Sequence, residues 1–218
     1  MSSINERQAD YKLNKSIFCV KYGDITKLQA DALVSSDDNL LTMGGGVSLA
    51  LLRAGGQSIY NEARKHIPLK LGDVVVTSAG QLPAKYIFHA GTLDFSDISG
   101  PTEQNIRDAT FKSLQLADTL GVRTIAFPAL GTGIARFPFQ LAAQTMTNTL
   151  AEYLHGDTQI ELATITLLAV ELTTARDINI LADQDLMWLT GKNVLCHGDR
   201  AKYVEKEKRH CECHSIDE

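Results

Sequence analysis

The sequence predicts an α/β protein, a three-layer α/β/α sandwich around a mixed central sheet. Three observations lead there. Strand-like and helix-like segments alternate along most of the chain, the pattern of helices packed on both faces of a largely parallel sheet. Two β-rich segments, 73–78 and 85–90, are separated only by a turn around Gly80 and Pro83. That spacing predicts a local antiparallel pair, so the sheet is mixed rather than purely parallel. Finally, the 218 residues are 44% hydrophobic, enough to bury one full core.

Taken in order, residues 17–22 read as a strand ending at Gly23-Asp24, and 32–36 as a short apolar strand running into a polar, glycine-rich loop. Residues 47–53 read as a helix closed by Gly55-Gly56, and 58–66 as a second helix before Pro68. After the central hairpin, 102–120 places Ile106, Ala109, Leu116 and Leu120 near one helical face. A strand at 123–127 leads into a glycine-containing loop at 128–138. The helix at 139–155 carries a stripe of Ala142, Met146, Leu150 and Leu154. A β-branched strand at 160–171 and a last helix from about 174 to 189 complete the pattern. Composition then turns polar. These boundaries predict an N-terminal extension at 1–14, one domain at 15–189, and a Cys/His-containing tail or linker at 190–218.

The formal charge of −5 argues against general electrostatic binding to nucleic acid. Met1 to Glu6 has neither a basic nor an apolar region of a signal peptide, and no apolar stretch approaches membrane-spanning length. With four cysteines and no export signal, a cytoplasmic location is expected, with free or metal-bound thiols. In the tail, Cys196, His197, Cys211 and Cys213 are zinc-competent, but no Cys-x₂-Cys pair is present, and a tail or linker is the reading preferred over a metal site.

Ligands of such sheets bind beyond the carboxyl ends of the strands. Three loops leave strands in that direction, 23–26, 35–46 and 128–138, and all are rich in glycine or small polar residues. Met43-Gly44-Gly45-Gly46-Val47 runs into a helix, whose unpaired N–H groups and dipole favour an anion; the alternative is a flexible turn. Gly131-Thr132-Gly133-Ile134 repeats that logic, so the two loops can clamp a diphosphate. Neither fits the dinucleotide fingerprint, and no Walker lysine follows. Asp24, just past a strand, is either an acceptor for an exocyclic amine or a turn residue bonding the Thr26 N–H.

Gly23-Asp24-Ile25-Thr26, the triple glycine with Val47, and Phe127-Pro128-Ala129-Leu130-Gly131-Thr132-Gly133-Ile134, in this order and spacing, resemble the macrodomain family over roughly residues 15–185. The resemblance implies an ADP-ribose site with no cofactor. Asp24 would accept from the adenine amino group, and the Ile25 N–H would hold another part of the base. Ser35 and Gly44 would belong to the ribose and phosphate loop. Gly45, Gly46 and Val47 would line the diphosphate and distal ribose. Gly131, Thr132, Gly133, Ile134, Ala135 and Arg136 would form the second phosphate loop. Val170, near the end of the last strand, would give the adenine an aliphatic contact.

The chain also departs from the family. Ser35-Ser36-Asp37-Asp38 stands where many macrodomains have Asn-Ala-Ala-Asn, so Asp38 replaces the Asn that orients the distal ribose. Ser48 stands where one group of hydrolases carries its aspartate, and Ala135 where an aromatic often covers the ribose. Arg136 either pairs with a phosphate or is a solvated surface residue. Asp38 is expected to contact the ribose and is the candidate general base. Asp37 is expected to cap the loop or face solvent, and His89 to be a strand histidine held by hydrogen bonds. The resulting expectation is binding of ADP-ribose, of an ADP-ribosylated protein or nucleic acid, or of a related nucleotide. One alternative is a hydrolase of ADP-ribose linkages, or a deacylase of acylated ADP-ribose, using Asp37 and Asp38. The other is a nucleotide or RNA platform, which the acidic balance disfavours.

Overall fold

The computed structural model describes residues 8–97 and 99–167. Its strands are β1 (Gln8–Leu13), β2 (Ser16–Tyr22), β3 (Ala32–Asp38), β4 (Val74–Ser78), β5 (Tyr86–Leu93), β6 (Thr124–Phe127) and β7 (Leu162–Leu167). Its helices are α1 (Gly46–Gly55), α2 (Gln57–Ala63), α3 (Glu103–Thr119) and α4 (Phe139–His155). The strands form one seven-stranded sheet in the order β1-β2-β7-β6-β3-β5-β4. The inner five are parallel, while β1 and β4 pair antiparallel at the two edges. The predicted hairpin is therefore the β4–β5 pair, and the sheet is mixed as expected.

Alternation along the strands decides which helices cover which face. Val20, Val34, Phe88 and Phe127 point to one side and pack under Ile106, Ala109 and Leu114 of α3 and Ala142, Met146 and Leu150 of α4. Leu33, Ile87 and Ala126 point to the other and meet Leu51 of α1 and Ile59 of α2. The helices start and stop on local chemistry. Thr102 and Asn105 form a reciprocal capping box at the head of α3. At its tail, Asp118 accepts from Tyr153 Oη, Thr158 Oγ1 and the Gln159 N–H, fastening α3 to α4. At the amino ends of β3 and β6, Asp31 accepts from the Arg123 and Thr124 N–H groups at 2.9 and 3.1 Å and from Lys85 Nζ at 2.8 Å.

Three differences from the sequence reading matter. Residues 8–13, placed outside the domain by the boundary at 15, form β1: Tyr11 and Leu13 are buried, and Tyr11 stacks on Phe18 with ring centroids 5.7 Å apart. Strand β3 runs on through Asp38, so Ser35 to Asp38 are strand residues and not a loop. Strand β5 runs on to Leu93, which carries its end to the same sheet edge as β3. Of the strand read at 160–171, residues 162–167 are β7. The remainder, the helix read at 174–189 and the tail at 190–218 lie outside the described residues. No helix among the described residues is long and apolar enough to cross a membrane.

Candidate ligand-binding site

Because the inner five strands are parallel, their carboxyl ends share one edge, and a cleft of about 560 Å³ lies beyond it. Each strand contributes wall in its own place. Residues 23–25 follow β2, Thr166 belongs to β7, and 128–135 follow β6. Residues 36–48 include the end of β3, the glycine loop and the start of α1, while Thr92, Leu93 and Phe95 come from the end of β5. Strand order thus orders the cleft: Asp24 stands at one end, the two glycine loops in the middle, and Phe95 at the far end.

At the near end, Asp24 caps a short 3-10 turn. Its Oδ1 accepts from the Thr26 N–H at 3.0 Å and Thr26 Oγ1 at 2.7 Å. The turn role weighed from the sequence is therefore real. It consumes one oxygen and leaves Oδ2, 3.8 Å from Lys27 Nζ, facing outward. Ile25 is buried behind it. Thr166, also in the wall here, has a buried Oγ1 with no partner among the described residues.

In the middle, Gly45 precedes α1 in extended conformation, and no side chain caps the helix. The first-turn N–H groups and the positive dipole end are thus presented to the cleft beside Gly44, Gly46 and Val47. Gly46 has a φ of 55°, which glycine adopts at little cost. Opposite, Gly131 has a φ of 74°, again in the left-handed region that favours glycine. The second loop closes on itself through the Phe137 N–H to Gly131 O and the Arg136 N–H to Gly133 O. Its Gly131 N–H donates to Ser36 Oγ at 3.2 Å, which in turn bonds Thr92 Oγ1 at 2.8 Å. Thr132, Gly133, Ile134 and Ala135 line the cleft, and the Ile134 side chain lies across Gly45, so the two loops meet.

The acidic pair departs from expectation. Asp38 accepts from the Leu40 N–H at 2.9 Å, the Thr42 N–H at 3.2 Å and Thr42 Oγ1, so its carboxylate is committed to the turn that leads into the triple glycine. It caps the loop, the role expected of Asp37. Asp37 in turn is buried, with Oδ2 2.9 Å from His89 Nδ1 and Oδ1 without a partner. His89 Nε2 is 2.9 Å from Thr77 Oγ1, so this histidine is held by hydrogen bonds at both nitrogens, as read from the sequence. Beside it, two hydrogen bonds from Ser78 hold the Glu62 carboxyl below the usual range.

Two further expected residues lie outside the cleft lining. Ser35 is fully buried on the α1 face and does not line the cleft, because alternation turns Ser36 toward the second glycine loop instead. Arg136 has a φ of 54° and is exposed outside the lining, because the loop has turned away after Ala135. Ser48 is buried, and its hydroxyl donates to Gly45 O at 2.8 Å. Val170 and the tail residues Cys196, His197, Cys211 and Cys213 lie outside the described residues. Among the described residues no group of His, Cys, Asp or Glu side chains is arranged to hold a metal ion.

Sequence reading missed Ser36, Thr42, Thr92, Leu93, Phe95 and Thr166. The β5 group follows from the parallel pairing of β5 with β3, which carries Thr92 and Leu93 to the ligand edge and which the sequence does not display.

The family model described as Macro domain matches residues 34–146, from within β3 into α4. The chain belongs to the macrodomain family. An uncharacterised protein of Saccharolobus solfataricus is 43% identical over 141 residues, covering 63% of this chain and 77% of its own length. One of Sulfolobus acidocaldarius is 38% identical over 148 residues, covering 66% and 80%. Among solved structures, the Oceanobacillus iheyensis macrodomain with ADP superposes with a TM-score of 0.75 at 23% identity, covering 87% of this chain and all (100%) of that one. The Trypanosoma brucei macrodomain in complex with ADP-ribose superposes with a TM-score of 0.67 at 23% identity, covering 75% and 68%. At that identity the likeness establishes the macrodomain fold alone.

Proposed function

We propose that this macrodomain binds ADP-ribose, free or attached to a macromolecule, in the cleft at the carboxyl edge of its sheet. The observation that carries the reading is the order of groups along the cleft. An outward carboxylate oxygen at Asp24 suits the adenine amino group. Two opposed glycine loops, one opening an uncapped helix, suit the diphosphate. Room bounded by Thr42, Thr92 and Phe95 suits the distal ribose. The reading is supported by the Oceanobacillus iheyensis and Trypanosoma brucei macrodomains, which are described with ADP and with ADP-ribose. Ile25, Gly44, Gly45, Gly46, Val47, Thr132, Gly133, Ile134 and Ala135 keep their proposed ligand-lining roles. We favour binding over turnover. Asp38 is spent on the loop and Ser48 on Gly45 O, so neither is poised to activate water. A cytoplasmic location fits the free, buried Cys19 thiol.

Calorimetry of the full chain with ADP-ribose and with adenosine monophosphate tests this reading. Selective binding of ADP-ribose is expected, weakened in Asp24→Ala by about 1–3 kcal/mol, the cost of an unmatched polar group. Equal affinity for the monophosphate, or an Asp24→Ala variant that binds as wild type, would contradict it.

A further inference from the structure

We infer that the far end of the cleft selects ligands that carry a planar, delocalised cation on the anomeric carbon of the distal ribose; the inference rests on the ADP-ribose reading of the same site. Strand order fixes the geometry. With adenine at the β2 end and the diphosphate between the glycine loops, whatever is attached to the distal ribose emerges at the end of β5. The side chain waiting there is Phe95, 58% exposed although it lines the cleft. An aromatic ring left bare at a cleft mouth offers its negative face to a partner.

Phe95 is held in place. Asn39 Nδ2 donates to Asp94 Oδ1 at 2.7 Å, and Ser96 N–H and Oγ close the turn on the same oxygen at 2.8 and 2.6 Å. The surroundings are acidic. Asp94 and Asp97 flank Phe95 in sequence, and Asp38 and Asp37, at the end of β3, line the same cleft, Asp37 with a buried Oδ1 that has no partner among the described residues. No lysine, arginine or histidine stands among the described residues that line the cleft. A bare ring near carboxylates favours a flat cation, which stacks and is also drawn by the field, over a neutral substituent, which only stacks, and over an anionic one, which the field repels. Two groups have that chemistry on this sugar: the pyridinium of the oxidised nicotinamide dinucleotide, and the guanidinium of an ADP-ribosylated arginine.

The experiment is calorimetry of the full chain in two arms at low and high salt, with ADP-ribose as reference. The first compares NAD⁺ with NADH, whose ring is neutral. The second compares matched peptides ADP-ribosylated on arginine and on serine. Each cation is expected to bind about two- to fivefold tighter than its neutral counterpart, the preference shrinking at high salt and falling to unity in Phe95→Ala. A preference in one arm alone supports the inference and identifies the source of the cation. Equal binding in both arms, or a preference that survives Phe95→Ala, overturns it while leaving the ADP-ribose reading standing. Failure to bind ADP-ribose itself removes both.

Discussion

Asp37 and Asp38 are neighbours in sequence with opposite surroundings, because alternation along β3 turns them to opposite faces. The register shift beside them skips Thr92 of β5, not a residue of β3. Asp37 turns inward to His89, while Asp38 curls into the following turn and gathers the Leu40 and Thr42 N–H groups. A sequence shows two adjacent acids but not how far β3 extends or which strand lies beside it, so the loop-capping role expected of Asp37 falls to Asp38, and the contact of Asp37 with His89 was not foreseen. By contrast, Asp24 and the glycines of both loops were legible, because strand-end position and the need for positive φ or close approach leave marks in residue type. The account expects Asp38→Ala to lower stability by about 1–3 kcal/mol, as measured by denaturant unfolding, and to weaken ligand only through a looser loop. Asp38→Asn, which keeps an acceptor oxygen, should recover much of the loss. A variant as stable as wild type but blind to ligand would instead restore Asp38 to the ribose.

At the scale of elements, the helices and inner strands were legible from periodicity and capping. The helix read at 139–155 is α4 (Phe139–His155), and the hairpin read around Gly80 is β4–β5. The ends of β3 and β5 were not, because polar strand residues such as Ser35, Asp37 and Thr92 look like loop until the partner strand is known. The amino ends of the strands carry their own test. Burial alone would raise the Asp31 carboxyl, but hydrogen bonds from Lys85, Arg123 and Thr124 outweigh it and hold it below its ordinary 3.8. A depressed carboxyl stabilises the fold above that ordinary value, and the contribution disappears as pH falls through the lower folded value. Asp31→Asn is expected to cost about 1–2 kcal/mol at neutral pH and progressively less in acid, as followed by urea unfolding across pH. A cost independent of pH would mean that the carboxylate charge plays no part.

For the whole molecule, the fold class followed from alternation, but the N-terminal edge did not. Residues 8–13 alternate polar and apolar side chains and are followed by a turn at Asn14, a strand signal the boundary at 15 passed over; pairing with β2 places Tyr11 and Leu13 in the core. A chain that begins at Lys15 should lose about 3 kcal/mol or more of buried apolar contact. It should also self-associate through the bared β2 edge, visible in denaturation and light scattering. Unchanged stability would make β1 an ornament. The most direct measurement is a crystal structure of the full chain with ADP-ribose. The account predicts adenine beside Asp24 and Ile25, the diphosphate between Gly44–Gly46 and Gly131–Gly133, and the distal ribose toward Thr92 and Phe95. A ligand bound in the reverse direction, or outside this cleft, would contradict it.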